Sequence, residues 1–107
     1  MKYKEELTRA MTYLGVDHRV VFLGQAVAYP GTAMTETLKN VSKEKLIEFP
    51  VAEEMQLGSS IGMALMGLIP VSIFPRLNFL LLAINQLVGH LDKLKIMSQG
   101  GYCPNVI

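Results

Sequence analysis

The sequence predicts an α/β fold, a parallel sheet covered by helices on both faces, and three observations predict it. Short, mainly apolar runs occur at Val20–Leu23, Leu46–Phe49 and Pro70–Phe74, the first of them continuous. Stretches of helical periodicity separate them, and a glycine or proline stands at nearly every switch. Strands that are apolar on both faces, alternating with helices, describe a buried parallel sheet. A chain of 107 residues with 50% hydrophobic content is expected to form one domain. At this size, roughly 65% of the unfolded surface becomes buried.

Each element has a local reason. Residues 3–14 carry Leu7, Met11 and Leu14 on one side with charges between them, an amphipathic helix closed by Gly15. Val20-Val21-Phe22-Leu23 is the first strand, ended by Gly24, and a loop runs to Gly31. A weak helix follows at Ala33–Asn40, then a strand at Leu46–Phe49 that stops at Pro50. Helical pattern resumes from Glu53 to about Met66, with Gly67 as C-terminal cap and with glycines that permit close packing. Pro70–Phe74 is the third strand. Asn78–Ile96 is long enough for a helix of about five turns, apolar on more than one side, so much of it should be buried. Ser98–Gly101 breaks it, and Pro104-Asn105-Val106-Ile107 reads as a strand beginning. Further strands are therefore expected downstream.

Composition excludes several function classes. The net charge of +1, with no basic cluster denser than Lys43-Glu44-Lys45 or Lys93-Leu94-Lys95, gives no footprint for nucleic acid. The uncharged stretch from Met55 to Pro75 is diluted by Gln56, serines, prolines and glycines, so no membrane span is expected. Cys103 stands alone, His18 and His90 are isolated, and no Cys/His spacing suits a zinc site. The start Met1-Lys2-Tyr3-Lys4-Glu5-Glu6 lacks the apolar core of a signal peptide, so a reducing, cytoplasmic setting is expected. There is no Walker-type phosphate loop, dinucleotide fingerprint or nucleophile elbow. The methionines Met63, Met66 and Met97 are read as core filler.

One acidic site has a chemical setting. In Phe49-Pro50-Val51-Ala52-Glu53-Glu54 an apolar run turns at proline and places two acids at the start of a helix rich in small residues. In parallel sheets, ligands bind beyond the carboxyl ends of the strands, where Glu53 falls. A partly desolvated carboxylate there is suited to hydrogen-bond a ligand. On local spacing, two acids favouring the positive end of a helix dipole explain the same residues.

The ordered set of Val21-Phe22-Leu23-Gly24, Pro50-Val51-Ala52-Glu53, Gly58, Gly62, Gly67, Pro70, Asn78-Phe79, Gln86, Lys93 and Met97-Ser98 resembles the beta subunit of thiamine-diphosphate-dependent 2-oxo acid dehydrogenases. The resemblance covers nearly the whole chain. It implies that residues 1–107 are the N-terminal part of a pyrimidine-binding domain, with the remaining strands and a C-terminal domain beyond Ile107. It also implies that Glu53 is both catalytic and cofactor-binding, its carboxylate hydrogen-bonding a ring nitrogen of the aminopyrimidine and favouring the imino tautomer that removes the thiazolium proton. Phe79, on its own a core residue, would stack on that ring. Glu54 would face elsewhere.

The same resemblance implies a 2-oxo acid substrate, an alpha subunit in a heterotetramer, magnesium and the diphosphate held mainly by that partner, and a lipoyl-bearing acyltransferase as a further partner. The chain departs from the pattern at Gln25 in place of an acid, Met55 in place of glycine, Asn85 in place of aspartate, Gly89 in place of asparagine, Gln99 in place of glycine, and at Pro75-Arg76-Leu77. Gln25 removes a relay acid, and Met55 is expected to narrow the pocket or alter the start of the helix. Two other readings stay open: a transketolase or deoxyxylulose-phosphate synthase type of enzyme, and a noncatalytic assembly domain.

Overall fold

The computed structural model describes residues 2–107. Its elements are α1 (Tyr3–Leu14), β1 (Val20–Gly24), α2 (Ala33–Thr37), β2 (Leu46–Glu48), α3 (Glu53–Leu65), β3 (Ile69–Ile73), and a long helical rod running from α4 (Leu77–Leu80) to α5 (Asp92–Met97). The three strands form one parallel sheet in the order β2-β1-β3, so the first strand is central. This is the α/β architecture expected from the alternation of apolar runs.

Strand pleat separates the two faces. Val20 and Phe22 of β1 stand beside Ile69 and Val71 of β3, and Leu46 of β2 is in register with Phe22. These residues meet Val27, Leu38 and Val41 from the α2 region, and Met11 and Leu14 of α1 pack against them. Leu23 points the other way, toward α3, whose inner side buries Gln56, Leu57, Ser60 and Ile61. Gln56 is 1% exposed and polar, yet its amide is satisfied: Nε2 donates to Ser72 Oγ at 3.0 Å and to the Ile73 carbonyl at 3.1 Å. It fastens α3 to the carboxyl end of β3.

Helix ends follow glycine where the backbone needs it and depart from it once. Gly67 has φ 91°, and the N–H groups of Gly67 and Leu68 bond the carbonyls of Ala64 and Met63 at 3.1 Å, which closes α3 in a Schellman motif. The same motif ends α5, where Gln99 donates to Ile96 and Gly100 to Lys95. There the left-handed residue is Gln99, φ 52°, a conformation that strains any residue with a Cβ.

Several expectations need correction. The helix after Ala33 stops at Thr37, because Leu38 and Val41 turn inward to the core. The long helix is continuous from Leu77 to Met97 but tightens to a 3-10 turn at Leu81–Ala83 and widens to a π segment at Gln86–Leu91. It is not largely buried: Ala83 alone is fully covered, and Leu77, Leu81, Ile84 and Val88, which share one face, are exposed. Met66 and Met97 are exposed rather than core filler. The α3 glycines do not serve close packing, since a Cβ at Gly62 would meet nothing and one at Gly58 would make ordinary contact with Gln86. The tail from Pro104 is irregular, but Ile107 N donates to the Pro70 carbonyl and Ser72 N to the Ile107 carbonyl, the spacing of a parallel bridge on β3. No helix among the described residues is long and apolar enough to cross a membrane.

Two substitutions test this backbone account by denaturant unfolding. Gln99→Gly should stabilise the chain by about 1 kcal/mol, because it removes the left-handed penalty. Gly24→Ala should destabilise it by about 1–3 kcal/mol, since the added Cβ would lie 2.5 Å from the Ile73 carbonyl oxygen.

Candidate functional site

Register brings three chain segments out at one level. Gly24, the last residue of β1, is opposite Glu48 on one side and Ile73 on the other. The Gln25 loop, the Pro50 turn and the Phe74–Arg76 connection therefore leave from the same end of the sheet. Phe49 N bonds the Gly24 carbonyl at 2.9 Å, which carries β2 pairing into the turn, and Ala52 N bonds the Pro50 carbonyl at 2.8 Å. That turn delivers Glu53 as the first residue of α3.

Glu53 is 6% exposed, unusually buried for a carboxylate. Gln25 Nε2 donates to its Oε1 at a long 3.4 Å, and its Oε2 has no partner among the described residues. The positive end of α3 favours the charge, so the dipole explanation and a ligand-binding role are both compatible with this position. What the dipole does not require is burial.

Glu54 separates cleanly from its neighbour. It is exposed, and its Oε1 accepts from Asn85 Nδ2 at 3.1 Å and Gln86 Nε2 at 3.3 Å. These two amide donors, Asn85 first, hold the Glu54 carboxyl below its ordinary range. Glu54 thus clasps the start of α3 to the middle of the long rod. Asn85 and Gln86 were legible only as positions in a resemblance; their joint target is not.

Phe79 lies in α4, just after β3, and is half-buried. The Arg76 guanidinium stands over its ring, 5.4 Å from the centroid, a cation–π contact that leaves the opposite face of the ring to other neighbours. Glu53 and Phe79 thus sit in the first turns of the two helices that follow β2 and β3. Met55 lies in the first turn of α3 and is half-exposed. A cleft of about 530 Å³ lies elsewhere, between α1 and Lys39-Asn40, and Glu53 does not line it.

Glu48 was missed. It ends β2, and its carboxylate accepts three successive backbone N–H groups, from Ala26 at 2.6 Å, Val27 at 3.0 Å and Ala28 at 2.9 Å. The loop it grips is otherwise held by Thr35, whose hydroxyl donates to the Ala26 carbonyl at 2.8 Å, and by Thr32, which caps α2 through Thr35 N. An acid ending a short strand carries no local sign of such a role. Only the parallel pairing of β1 and β2 makes the residues neighbours.

Residues 1–99 match the family described as transketolase, pyrimidine binding domain. The 2-oxoisovalerate dehydrogenase subunit beta of Bacillus subtilis (strain 168) is 29% identical over 97% of the chain. The pyruvate dehydrogenase E1 component subunit beta of Gracilaria tenuistipitata var. liui is 33% identical over 80% of the chain. The 3-methyl-2-oxobutanoate dehydrogenase subunit beta of Mycobacterium tuberculosis (strain CDC 1551 / Oshkosh) is 31% identical over 81%. The chain spans 31%, 28% and 26% of these three proteins, respectively.

The Glu54 clasp predicts a pH dependence. Its folded-state carboxyl titrates below the ordinary value of 4.5. The clasp's stabilisation is therefore fully present above the unfolded pKa and is lost as pH falls through the folded pKa. In the double variant Asn85→Ala, Gln86→Ala, the Glu54 carboxyl resonance should titrate closer to the ordinary value. The stability gap between wild type and variant should be largest near neutral pH and shrink in acid.

Proposed function

Because the chain belongs to the transketolase pyrimidine-binding domain family, we propose that it is the N-terminal part of the pyrimidine-binding domain of a beta-type subunit of a 2-oxo acid dehydrogenase. The single observation that carries this reading is the buried Glu53 carboxylate, which begins α3 at the carboxyl end of a parallel sheet with Oε2 open to a donor. The names of the three relatives favour the dehydrogenase branch over a transketolase or deoxyxylulose-phosphate synthase. Turnover of 2-oxo acids rather than ketose phosphates distinguishes the branches.

The residues fit the aminopyrimidine of thiamine diphosphate. A buried acid with one oxygen unpartnered can share a proton with a weakly basic ring nitrogen, and such a bond is stronger in a dry site than in water. When bound, the cofactor supplies the base and the electron sink for decarboxylating a 2-oxo acid. Glu53 holds the shared proton at Oε2 while Gln25 steadies Oε1. Phe79 offers an aromatic face for ring stacking, its other face lying against Arg76.

Gln25 is an amide and cannot take up or release a proton, so it orients Glu53 and relays nothing. In this reading magnesium and the diphosphate are held mainly by an alpha subunit, and the catalytic centre lies between subunits of a heterotetramer that hands its acyl group to a lipoyl-bearing acyltransferase. The exposed apolar stripe of Leu77, Leu81, Ile84 and Val88 supports contact with another chain or chain segment. A reducing, cytoplasmic setting completes the proposal and suits the single, exposed thiol of Cys103.

The test uses the complete beta-type chain assembled with its alpha-type partner. Glu53→Gln should lower proton exchange at the thiazolium carbon by about 100-fold or more while leaving the assembly's mass unchanged. Wild-type exchange in that variant would contradict the assignment. A second, noncatalytic reading fails if calorimetry detects tight binding of thiamine diphosphate to the wild-type assembly.

A further inference from the structure

Near the Glu53 site, the carboxylate of Glu48 is held by backbone groups alone. Three consecutive backbone N–H groups converge on it, all within 3.0 Å. Hydrogen bonds to an ionised acceptor are about twice as strong as neutral ones. The segment so gripped begins one residue after Gln25 and includes Ala26, a non-glycine residue at φ 58°. A left-handed alanine persists only where its surroundings over-determine it. Here Glu48 takes the N–H groups of Ala26, Val27 and Ala28 while Thr35 takes the Ala26 carbonyl.

Gln25 is thereby bounded on both sides: Gly24 before it is in sheet register with Glu48 and Ile73, and the clamped turn follows. Its side chain reaches across to Glu53 Oε1 at 3.4 Å, a bond too long to hold Gln25 in place by itself. The loop must hold Gln25 there.

We propose that Glu48 is a positioning residue for the Glu53 site: its carboxylate clamps the Ala26–Ala28 backbone and so keeps the Gln25 amide on Glu53. Glu48 does not touch the proposed cofactor; it acts through Gln25. The consequence for cofactor binding rests on the function proposed above, but the coupling of Glu48 to Glu53 is a property of the chain without cofactor.

The test therefore uses the full chain without cofactor. In Glu48→Gln, backbone amide exchange at Ala26, Val27 and Ala28 should quicken by roughly tenfold or more, while the amides of Phe22 and Leu23 in β1 keep their rates. The 13C resonance of the Glu53 carboxyl at neutral pH should move as it does in Gln25→Ala, and the double variant should match Gln25→Ala alone. A purely structural Glu48 would not move the Glu53 resonance through Gln25. Should Glu48→Gln not fold, Glu48→Asp keeps the charge, withdraws the oxygens, and should shift both readouts in the same direction. Unchanged amide exchange, or a Glu53 resonance that responds to Gln25→Ala but not to the Glu48 variants, overturns the proposal. Failure of the wild-type assembly to bind thiamine diphosphate would overturn the proposed function and leave this coupling standing.

Discussion

Parallel pairing of β1 with both of its neighbours is the constraint on which the remaining structure depends. With β1 in the middle, Gly24 must lie level with Glu48 and with Ile73, and its lack of a side chain lets the Ile73 carbonyl approach. Every segment that matters to the acidic site leaves from that level. Antiparallel pairing would send the Gln25 loop and the Pro50 turn to opposite ends of the sheet.

Polar groups, more than apolar ones, secure this end. The core beneath is ordinary: Val20, Phe22 and Val71 packed on residues from α1 and the α2 region. Above it, Gln56 ties α3 to β3, Glu48 ties β2 to the β1 loop, and Glu54 ties α3 to the long helix. Each joins elements distant in sequence through groups that would be costly to bury unpaired. Glu53 differs from these three in that its one hydrogen bond, from Gln25 at 3.4 Å, is long, and its Oε2 has no partner among the described residues.

Local pattern made much of this legible. Apolar runs bounded by glycine and proline announce the three strands, and Gly67 announces the end of α3 because only a residue free to take positive φ closes a Schellman motif without strain. The place of Glu53 follows from the turn at Pro50. Two kinds of fact are not legible. The Glu48 clamp joins a side chain to backbone groups twenty or more residues away, and no periodicity encodes it. The long helix shows apolar residues on several sides, but whether a Leu81 or Val88 is covered depends on what lies against it, which the residue types do not say. Gln99 illustrates the converse: the turn keeps its shape although the residue that best suits it is missing.

The central claim is that the Glu53 carboxylate receives the aminopyrimidine ring. The most direct measurement is the 15N spectrum of thiamine diphosphate labelled at its pyrimidine nitrogens and bound to the assembled component. A proton shared between Glu53 and one ring nitrogen predicts that this single resonance moves to lower frequency relative to free cofactor, while the other ring nitrogen moves little. Ring-nitrogen resonances unchanged from those of the free cofactor, with binding shown to be complete, would contradict the account.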